Sequence, residues 1–562
     1  MNASNAYDAR PWLGRYRDTG SSALLPEYTD ALAMFRATVE RAADRPALVY
    51  FDGSLSYAEV DAQSDALASA LLANGFTAGD RLGLYLQNTP HFVIAEIAAW
   101  KAGGIAVPIN PMNRARELTA ILEDSGAKAL VLHRYLYRDI AADVLPALGN
   151  VMAVVTDERD FQTRNDARVL PAAAVETLAG AHEFSELVRA HRGQKPPPVR
   201  YEAGDTALLV YTSGTTGAPK GAMNTHGNVT FIAQAYRDWI GVRDGAPIYG
   251  VAPLFHITGL EGHIALAILT GSPLILHYRF DPAVALEAIR EHRAEFTIGS
   301  ITVFIALMNA PNATREDLAT LEKIYSGGAP IPPSVVEQFT AKFGHTIHNA
   351  YGLTETTSPA TFQPLGAKAP VDEASGSLSI GVPIYDTSIY IVGDDGKPVA
   401  PGEVGEIAVR GPQVVAGYWG KAEETARSFP DRRLLTGDVG FMDADGWFYL
   451  VDRKKDMINC AGYKVWPREV EDVLYTHPAV REAAVIGVPD TYRGESVKAV
   501  ISFKPGQSAT PDAIVEFCKE RMAAYKYPRT VEVVDELPKT VTGKILRREL
   551  REAAKTAPAA TG

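Results

Sequence analysis

The chain has 562 residues, a formal net charge of −12 and two cysteines. Single hydrophobic cores stop growing at about 250–300 residues, so this length predicts two or more domains. The acidic charge argues against a general nucleic-acid binder, and two cysteines can build neither a disulfide framework nor a zinc cluster. A cytoplasmic protein is expected, because the polar N-terminal segment lacks the apolar core of a signal peptide.

Helix and strand patterns alternate through the first third of the chain. Apolar residues at helical spacing in 57–76 predict a helix that Gly75 ends, and the short apolar run 81–88 predicts a strand. A second helix (92–104) and a second strand (128–133) follow. Such alternation predicts parallel strands connected by crossover helices.

The pattern of predicted helices and strands changes twice in the later part of the chain. A proline-rich connector at 191–204 precedes a second αβ series, and strands divided by glycine turns begin at about 378. The α+β pattern returns near Trp466. The predicted units are αβ subdomains at 30–195 and 200–375, a β-rich subdomain at 376–454 and a small unit at 455–562.

A loop rich in Gly, Ser and Thr follows the apolar run that begins at Ala207. Glycines let a backbone approach phosphate oxygens, hydroxyls donate to those oxygens, and a lysine adds positive charge. Two residues separate Gly217 from Lys220, which excludes the Walker A pattern. By composition alone, a flexible surface loop fits equally well. The candidate phosphate ligands are Thr212, Ser213, Gly214, Thr215, Thr216, Gly217 and Lys220.

The string "YTSGTTGAPKG" (211–221) resembles the phosphate-binding signature of the AMP-forming adenylating enzymes, which include acyl-CoA synthetases, luciferase and peptide-synthetase adenylation domains. The resemblance covers about residues 30–550. It implies an α/β fold with a large N-terminal domain, 1–454, and a small, mobile α+β domain, 455–562. It also implies ATP, Mg²⁺ and coenzyme A as cofactors. It further implies a hinge at Lys455, and the alternative for Lys455 is an ordinary solvent-exposed lysine in a charged segment.

Two further strings, "SGGAP" (326–330) and "NAYGLTETT" (349–357), resemble the family's adenine and phosphate segments. The resemblance implies that Tyr351 faces the purine, that Thr354 donates to the α-phosphate and that the Glu355 carboxylate holds Mg²⁺. An ordinary surface or helix-capping acid is the alternative for Glu355. The other implied nucleotide contacts are Gly328, Ala329, Pro330, Asn349, the ribose ligands Asp438 and Arg453, and Lys544.

Three more segments resemble the sites for the acid and the thiol. "APLFHITGL" (252–260) implies that His256 and Thr258 lie at the mouth of the acyl pocket. Ala350 and Gly352 are expected to line this pocket and are small enough to leave room for a chain or a ring. "NCAGYKVWPREVE" (459–471) implies a coenzyme A channel beside Gly462 and Tyr463, although Tyr463 fits equally well in the core of the domain.

The string "PKTVTGKI" (538–545) resembles the family's C-terminal signature. Pro538 and Gly543 are expected to shape a loop that presents Lys544 to the α-phosphate and the carboxylate. Without the other motifs, Lys544 would be a solvated surface lysine. For Arg547 and Arg548 two alternatives stay open: contacts to the phosphates of coenzyme A, or exposure to solvent without a specific role.

Together these residues predict an ATP-dependent acyl-CoA synthetase that forms an acyl-AMP, releases pyrophosphate and transfers the acyl group to coenzyme A. A medium- or long-chain fatty acid is the leading substrate, and an aryl acid such as a benzoate or cinnamate is the alternative. A catalytically silent nucleotide-binding or scaffold homologue is the alternative of another class. No nucleic-acid partner and no integral membrane association are expected, and a homodimer is left open.

Replacement of Lys544 by alanine is expected to abolish adenylation but to spare thioester formation from pre-made acyl-adenylate. The reason is that the lysine charge serves the developing phosphoryl charge of the first step, whereas the second step needs only a thiol and a leaving AMP. Pyrophosphate release and thioester yield, measured separately, test this. Equal loss of both activities would contradict the role assigned to Lys544.

Overall fold

The computed structural model describes residues 3–16, 22–171, 178–212, 219–373, 376–453, 456–460, 463–490, 493–540 and 545–556. The strands, in chain order, are β1 (Pro46–Tyr50), β2 (Gly53–Ser56), β3 (Arg81–Tyr85), β4 (Ile105–Pro108), β5 (Ala129–His133), β6 (Met152–Thr156), β7 (His182–Glu183), β8 (Thr206–Thr212), β9 (Lys220–Thr225), β10 (Ile248–Tyr249), β11 (Leu274–Leu276), β12 (Phe296–Gly299), β13 (Lys323–Ser326), β14 (Ile347–Leu353), β15 (Ser358–Phe362), β16 (Val382–Pro383), β17 (Ser388–Val392), β18 (Gly405–Arg410), β19 (Leu434–Met442), β20 (Phe448–Arg453), β21 (Ile458–Cys460), β22 (Tyr463–Val465), β23 (Val480–Asp490), β24 (Gly494–Phe503) and β25 (Thr530–Val533).

The α-helices are α1 (Ala3–Asp8), α2 (Ala31–Ala42), α3 (Tyr57–Ala73), α4 (Pro90–Lys101), α5 (Ala115–Ser125), α6 (Arg134–Leu136), α7 (Ala142–Val144), α8 (Phe184–Ala190), α9 (His226–Ile240), α10 (Ile257–Gly259), α11 (Leu266–Thr270), α12 (Pro282–Glu291), α13 (Ile301–Asn309), α14 (Pro333–Phe343), α15 (Ala422–Ser428), α16 (Pro467–Tyr475), α17 (Pro511–Lys519) and α18 (Arg547–Thr556). Within the described ranges, no helix combines the length and the apolar character needed to cross a bilayer.

The strands form four sheets with distinct partners. The order β7-β6-β5-β3-β4-β8-β9 makes one sheet, and β16-β15-β14-β13-β12-β10-β11-β1-β2 makes the second. Strands β17–β20 form an antiparallel sheet, and β22-β21-β24-β23 with β25 form the sheet of the small C-terminal domain. The protein is therefore an α/β fold with a large N-terminal and a small C-terminal domain, as the sequence predicted.

The predicted subdomain boundary near residue 200 does not describe the sheets correctly. Strands β8 and β9, which follow that boundary, complete the sheet built from β3 to β7. Strands β1 and β2, which precede it, instead join β10 to β16 through the parallel pair β1–β11. Periodicity predicts where a strand lies but carries no information about the distant strand with which it pairs. For this reason each subdomain was expected to be one continuous stretch of sequence, whereas the chain in fact passes twice between the two sheets.

Local signals explain the helices that frame the site. Helix α3 begins with a capping box, in which Ser56 and Glu59 exchange side-chain and backbone hydrogen bonds, and Gly75 follows it with φ +90°. Helix α4 is buried along its whole length, from Pro90 to Lys101. It therefore carries Glu96 into the core, where that side chain is 2% exposed.

A second acid lies in the same region of the core. Glu261, on the π-helical segment Leu260–Ala265, is fully buried, and its carboxylate oxygens have no hydrogen-bond partner within the described residues. Burial raises the pKa of Glu96 to about 8. Burial, and then the nearby Glu96, raise the pKa of Glu261 well above its usual range. Burial among apolar side chains thus favours the neutral form of both carboxyls.

The small domain packs on the large domain through one buried cation. Arg468, in α16, is 2% exposed and donates to the carbonyl oxygen of Leu450 at 2.9 Å and to that of Ile331 at 3.3 Å. Both acceptors belong to the large domain. This pair of hydrogen bonds ties α16 to the large domain.

Glu96→Gln is expected to stabilise the protein at alkaline pH. The folded-state pKa of about 8 lies above the ordinary glutamate pKa of 4.5. The stability that the protonated carboxyl contributes is therefore fully present below the unfolded pKa and is lost as the pH rises through about 8. At about pH 9 the variant should gain on the order of 2 kcal/mol in the free energy of unfolding, with little change at about pH 5.

Urea denaturation across this pH range measures the effect. Glu123→Gln is the matched control, because Glu123 is an exposed helical glutamate whose replacement should leave the pH profile unchanged. A variant that loses stability relative to the wild type as the pH rises would contradict the interpretation.

Candidate active site

One cleft of about 2070 Å³ runs between the large and small domains. Its walls come from the ends of β8, β14 and β19 and from the N-terminal part of α18. The cleft brings together residues that are far apart in the sequence. It contains the described members of every predicted nucleotide segment: Thr212, Lys220, Gly328, Ala329, Pro330, Asn349, Tyr351, Thr354, Glu355 and Asp438.

The predicted phosphate loop connects two antiparallel strands. Thr212, the last residue of β8, pairs directly with Lys220, the first residue of β9. This register brings the two ends of the loop together at the cleft. Ser213, Gly214, Thr215, Thr216 and Gly217 were predicted as ligands and lie outside the described residues.

Tyr418 connects the lysine of this hairpin with the predicted metal-binding acid. The Lys220 Nζ lies 4.4 Å from the centre of the Tyr418 ring, and the Tyr418 hydroxyl donates to Glu355 Oε1 at 2.8 Å. Burial, followed by the charge of Glu355, raises the pKa of Tyr418, so the phenol stays neutral and remains a donor. The opposite charges of Lys220 and Glu355 are thus held apart by one ring rather than paired with each other.

Tyr418 is positioned by a segment that runs beside β9. Met223 N donates to Gly417 O at 2.9 Å, and Trp419 N donates to Gly221 O at 2.8 Å. Tyr418 was not predicted from the sequence, because it lies outside every recognised motif and no residue spacing connects it with Lys220. Only the fold shows that these residues meet.

The turn between β14 and β15 carries Thr354 and Glu355. Thr357 and Ser358 follow with φ values of +47° and +88°, which non-glycine residues rarely adopt. Asn224 Nδ2 holds the turn by donating to Thr354 O at 3.1 Å and to Thr357 Oγ1 at 2.9 Å. Gly352 is required here, since an added Cβ would lie 1.6 Å from Ser358 O.

The predicted nucleoside ligands lie on the opposite wall. The Tyr351 hydroxyl donates to Asp438 Oδ2 at 3.0 Å, and Asp438 pairs with the backbone of Arg453 in the β19–β20 ladder. The side chain of Arg453 lies outside the described residues. Asn349 borders the cleft, but its Nδ2 donates to Ser379 O at 3.0 Å, so its amide has a structural partner.

The predicted acyl residues border another part of the cleft: His256, Thr258, Ala350 and Gly352. His256 caps α10, where its Nδ1 accepts from Thr258 N at 3.3 Å. Tyr236 and Ser358 border the same cleft and were not predicted. Their hydroxyls lie 2.9 Å apart. Helix α13 also borders the cleft, through Thr302, Val303 and Ala306.

The small domain presents the flanks of Lys544 to the cleft. Thr540 and Ile545 both line it, and Lys539 bridges to Ile545 across the segment between them. Lys544, Lys455 and Gly462 lie outside the described residues, and for Tyr463 only the backbone, in β22, is described.

Arg547 and Arg548, whose roles the sequence left open, both have acidic partners. Arg547 pairs with Glu471 at 2.6 Å, and the exposed Arg548 pairs with Glu552 at 2.8 Å. The first pair holds α18 against the domain that carries it, because Glu471 belongs to α16 and is largely buried.

Glu355 fits a magnesium ion that is held mainly by substrate. No group of three or more His, Cys, Asp or Glu side chains that could hold a metal occurs in the described part of the chain. Mg²⁺ usually takes one or two protein carboxylates and completes its shell with phosphate oxygens and water. A single half-buried carboxylate beside the phosphate hairpin satisfies that requirement.

Comparisons with known proteins agree with this geometry. Residues 35–419 match the model of the AMP-binding enzyme family, and residues 469–544 match the AMP-binding enzyme C-terminal domain. The chain is 35% identical over 558 residues to a long-chain-fatty-acid–CoA ligase of Bacillus subtilis (strain 168), covering 97% of this chain and 98% of that protein.

Two further relatives act on aromatic acids according to their names. A feruloyl-CoA synthase of Amycolatopsis sp. is 36% identical over 498 residues, which cover 89% of this chain and 94% of that protein. The crystal structure of an anthranilate CoA ligase in complex with anthranoyl-AMP superposes with a TM-score of 0.85 at 28% identity, covering 94% of this chain and 98% of that one.

Tyr418→Phe is expected to lower the rate of adenylation by about tenfold. The change removes the hydrogen bond to Glu355 but keeps the ring that faces Lys220, and one such bond to a charged acceptor is worth roughly 1.5–3 kcal/mol. Pyrophosphate release as a function of Mg²⁺ concentration measures the effect, and the Mg²⁺ requirement should rise. Phe429→Leu, which alters a neighbouring apolar contact of Tyr418, is the control and should leave the Mg²⁺ requirement unchanged. An unaltered Mg²⁺ dependence in Tyr418→Phe would contradict the arrangement.

Proposed function

The chain belongs to the AMP-binding enzyme family and is an AMP-forming acid–CoA ligase, and we propose that it activates an aromatic carboxylic acid as the acyl-adenylate before thioester formation. The observation that carries the adenylation step is the convergence on one cleft of the phosphate hairpin, the Tyr418–Glu355 pair and both flanks of Lys544.

The first half-reaction needs positioned charge rather than a covalent nucleophile. A carboxylate oxygen of the acid attacks the α-phosphorus of ATP, and the bond from that phosphorus to the pyrophosphate oxygen breaks. Lys220 neutralises the outer phosphates, Thr354 donates to the α-phosphate, and Lys544 bridges the α-phosphate and the acid. Each group stabilises phosphoryl charge that increases in the transition state.

The nucleotide is oriented by groups on the two walls. Asp438 accepts from the ribose hydroxyls, and Tyr351 faces the purine while donating to Asp438. Gly328, Ala329 and Pro330 border the adenine. When bound at Glu355, Mg²⁺ supplies positive charge to the phosphate oxygens.

The second half-reaction replaces AMP by a thiol. The sulfur of coenzyme A attacks the acyl carbon, its proton is lost, and the carbon–oxygen bond to AMP breaks. Lys544 is not needed for this exchange, so the small domain can withdraw it. We place the hinge at Lys455 and the pantetheine arm beside Gly462 and Tyr463, as the sequence predicted.

The pocket supports an aromatic acid as the first candidate substrate. Ala350 and Gly352 leave space beside His256, and the apolar walls include Val251 and Ile298. The buried ring of Tyr236 also borders the cleft, and Phe362 packs against that ring at 5.1 Å between ring centres. Aromatic side chains near the pocket offer faces and edges on which a planar substrate ring can pack.

A medium- or long-chain fatty acid, the first choice from the sequence, is the second candidate. The observation that favours it is the 35% identity to a long-chain-fatty-acid–CoA ligase over almost the whole chain. Pocket side chains rather than overall identity set the substrate, because one misplaced group changes binding by about 1–3 kcal/mol.

A panel assay separates these candidates. Benzoate, cinnamate, decanoate and palmitate are supplied with ATP and Mg²⁺, with and without coenzyme A, and pyrophosphate and thioester are measured. We expect an aromatic acid to give a kcat/KM at least about tenfold above the fatty acids, the discrimination that roughly 1.4 kcal/mol of differential binding supplies.

Glu355→Ala is the inactive control. A preference for palmitate would contradict the aromatic assignment but not the ligase. Absence of pyrophosphate release with every acid would favour the silent homologue, and release without thioester formation would exclude coenzyme A as the acceptor.

A further inference from the structure

The carboxylate of Asp124 joins two chain segments that border the cleft. Asp124 lies next to the end of α5, and its two oxygens accept from different partners. The Tyr211 hydroxyl donates to Oδ2 at 2.8 Å, and Lys421 Nζ donates to Oδ1 at 2.6 Å. All three residues line the cleft, and none of the reaction steps described above uses them. This bridge therefore lies at the active site without an assigned role.

One arm of the bridge reaches the strand that leads into the phosphate loop. Tyr211 is followed by Thr212, the last residue of β8, which pairs with Lys220 across the hairpin. Burial, and then the hydrogen bond to Asp124, raise the pKa of Tyr211, so the phenol stays neutral and remains a donor. This arm thus ties α5 to the strand end at which the phosphate ligands begin.

The other arm reaches residues 417–421, the segment that carries Tyr418. Lys421 ends this segment and is the N-cap of α15. The hydrogen bond to Asp124 raises the pKa of Lys421, so the lysine keeps its charge. The Lys421 side chain is 37% exposed and that of Asp124 is 21% exposed. Ion pairs as exposed as this one contribute little to folding stability, so its value lies in where it holds the chain.

The same segment has a second link to the end of α5. Arg81 donates to the carbonyl oxygens of Ser125 and Gly126 at 2.5 and 2.8 Å, and its guanidinium carbon lies 5.7 Å from the centre of the Trp419 ring. Backbone hydrogen bonds attach the segment to β9 as well. The segment is therefore held on two sides, by β9 through its backbone and by α5 through side chains.

We propose that Asp124 is a positioning residue for adenylation, which holds the Tyr418 segment against the phosphate hairpin. It acts through Tyr418, whose ring faces Lys220 and whose hydroxyl donates to Glu355. The inference rests on the phosphate and metal roles proposed for Lys220 and Glu355, and it does not depend on which acid is activated. The outer phosphates and the metal are needed only in the first half-reaction. Loss of the bridge should therefore impair adenylation and spare thioester formation.

Three variants of the full-length enzyme break the bridge at different points: Asp124→Asn, Lys421→Met and Tyr211→Phe. Pyrophosphate release is measured against Mg²⁺ and ATP concentration with the best acid of the panel, and thioester formation is measured from the pre-made adenylate of that acid. We expect each variant to need about three- to tenfold more Mg²⁺ for half-maximal release, as the loss of one hydrogen bond implies. Thioester formation should stay within about twofold of the wild type.

A double variant tests whether Asp124 and Lys421 act through one contact. Asp124→Asn combined with Lys421→Met should need no more Mg²⁺ than the more affected single variant, because the second change removes a contact that is already lost. Lys421→Arg keeps the cation and should stay within about twofold of the wild-type requirement. Retention in this variant separates the charge that anchors the segment from the shape of the side chain.

Glu123→Gln is the matched control. Glu123 precedes Asp124 on α5 and is exposed, so the change removes the same charge from the same helix and leaves the bridge intact. Its Mg²⁺ requirement should equal that of the wild type. Thermal unfolding verifies that each variant folds, and the half-exposed Lys421 provides a variant that folding does not depend on.

Two results would overturn the inference. One is an unchanged Mg²⁺ requirement in folded Asp124→Asn or Lys421→Met, and the other is an equal loss of both half-reactions in these variants. A wild type that releases pyrophosphate, with variants that behave like it, would retain the proposed function and lose the positioning role. A wild type that releases no pyrophosphate with any acid would overturn the proposed function and this inference together.

Discussion

The structure depends on the strained turn between β14 and β15. This turn presents Thr354 and Glu355 to the phosphate side of the cleft and Ser358 to the acyl side. Its two left-handed residues cost of order 1–3 kcal/mol each. The buried hydrogen bonds of Asn224 and Gln413 offset that cost, and the absence of a side chain at Gly352 lets the returning strand approach. One backbone turn therefore sets the spacing of Thr354, Glu355 and Ser358 along the cleft.

Charge in the cleft is distributed rather than paired. Lys220 lies over the ring of Tyr418, whose hydroxyl bonds to Glu355, and among the described residues neither the cation nor the carboxylate forms an ion pair. Each is then available to a substrate phosphate or to a metal ion. In a buried, low-dielectric cleft such preorganised charges act more strongly than in water, and they need not reorganise during the reaction. The small domain closes the same cleft and is held by the buried Arg468.

Sequence patterns predicted the elements well where periodicity is strong. The helix that Gly75 ends, the strand beginning at Arg81 and the small C-terminal domain all correspond to observed features. The exchange of β1, β2, β8 and β9 between sheets was not predictable, since strand pairing is a long-range property. The described motif residues line one cleft, several of them at or just after the ends of β8, β13 and β14, and the side chain of Asn349 proved to have a structural partner.

By itself, the sequence determined the family and the class of reaction, because the motifs that carry them are local combinations of residue types. Only the tertiary structure decided what surrounds them. Tyr418 belongs to no motif, yet it stands between Lys220 and Glu355, and Tyr236 meets Ser358 across 122 positions of the chain. Such contacts arise from the packing of distant strands and helices, and residue spacing does not encode that packing.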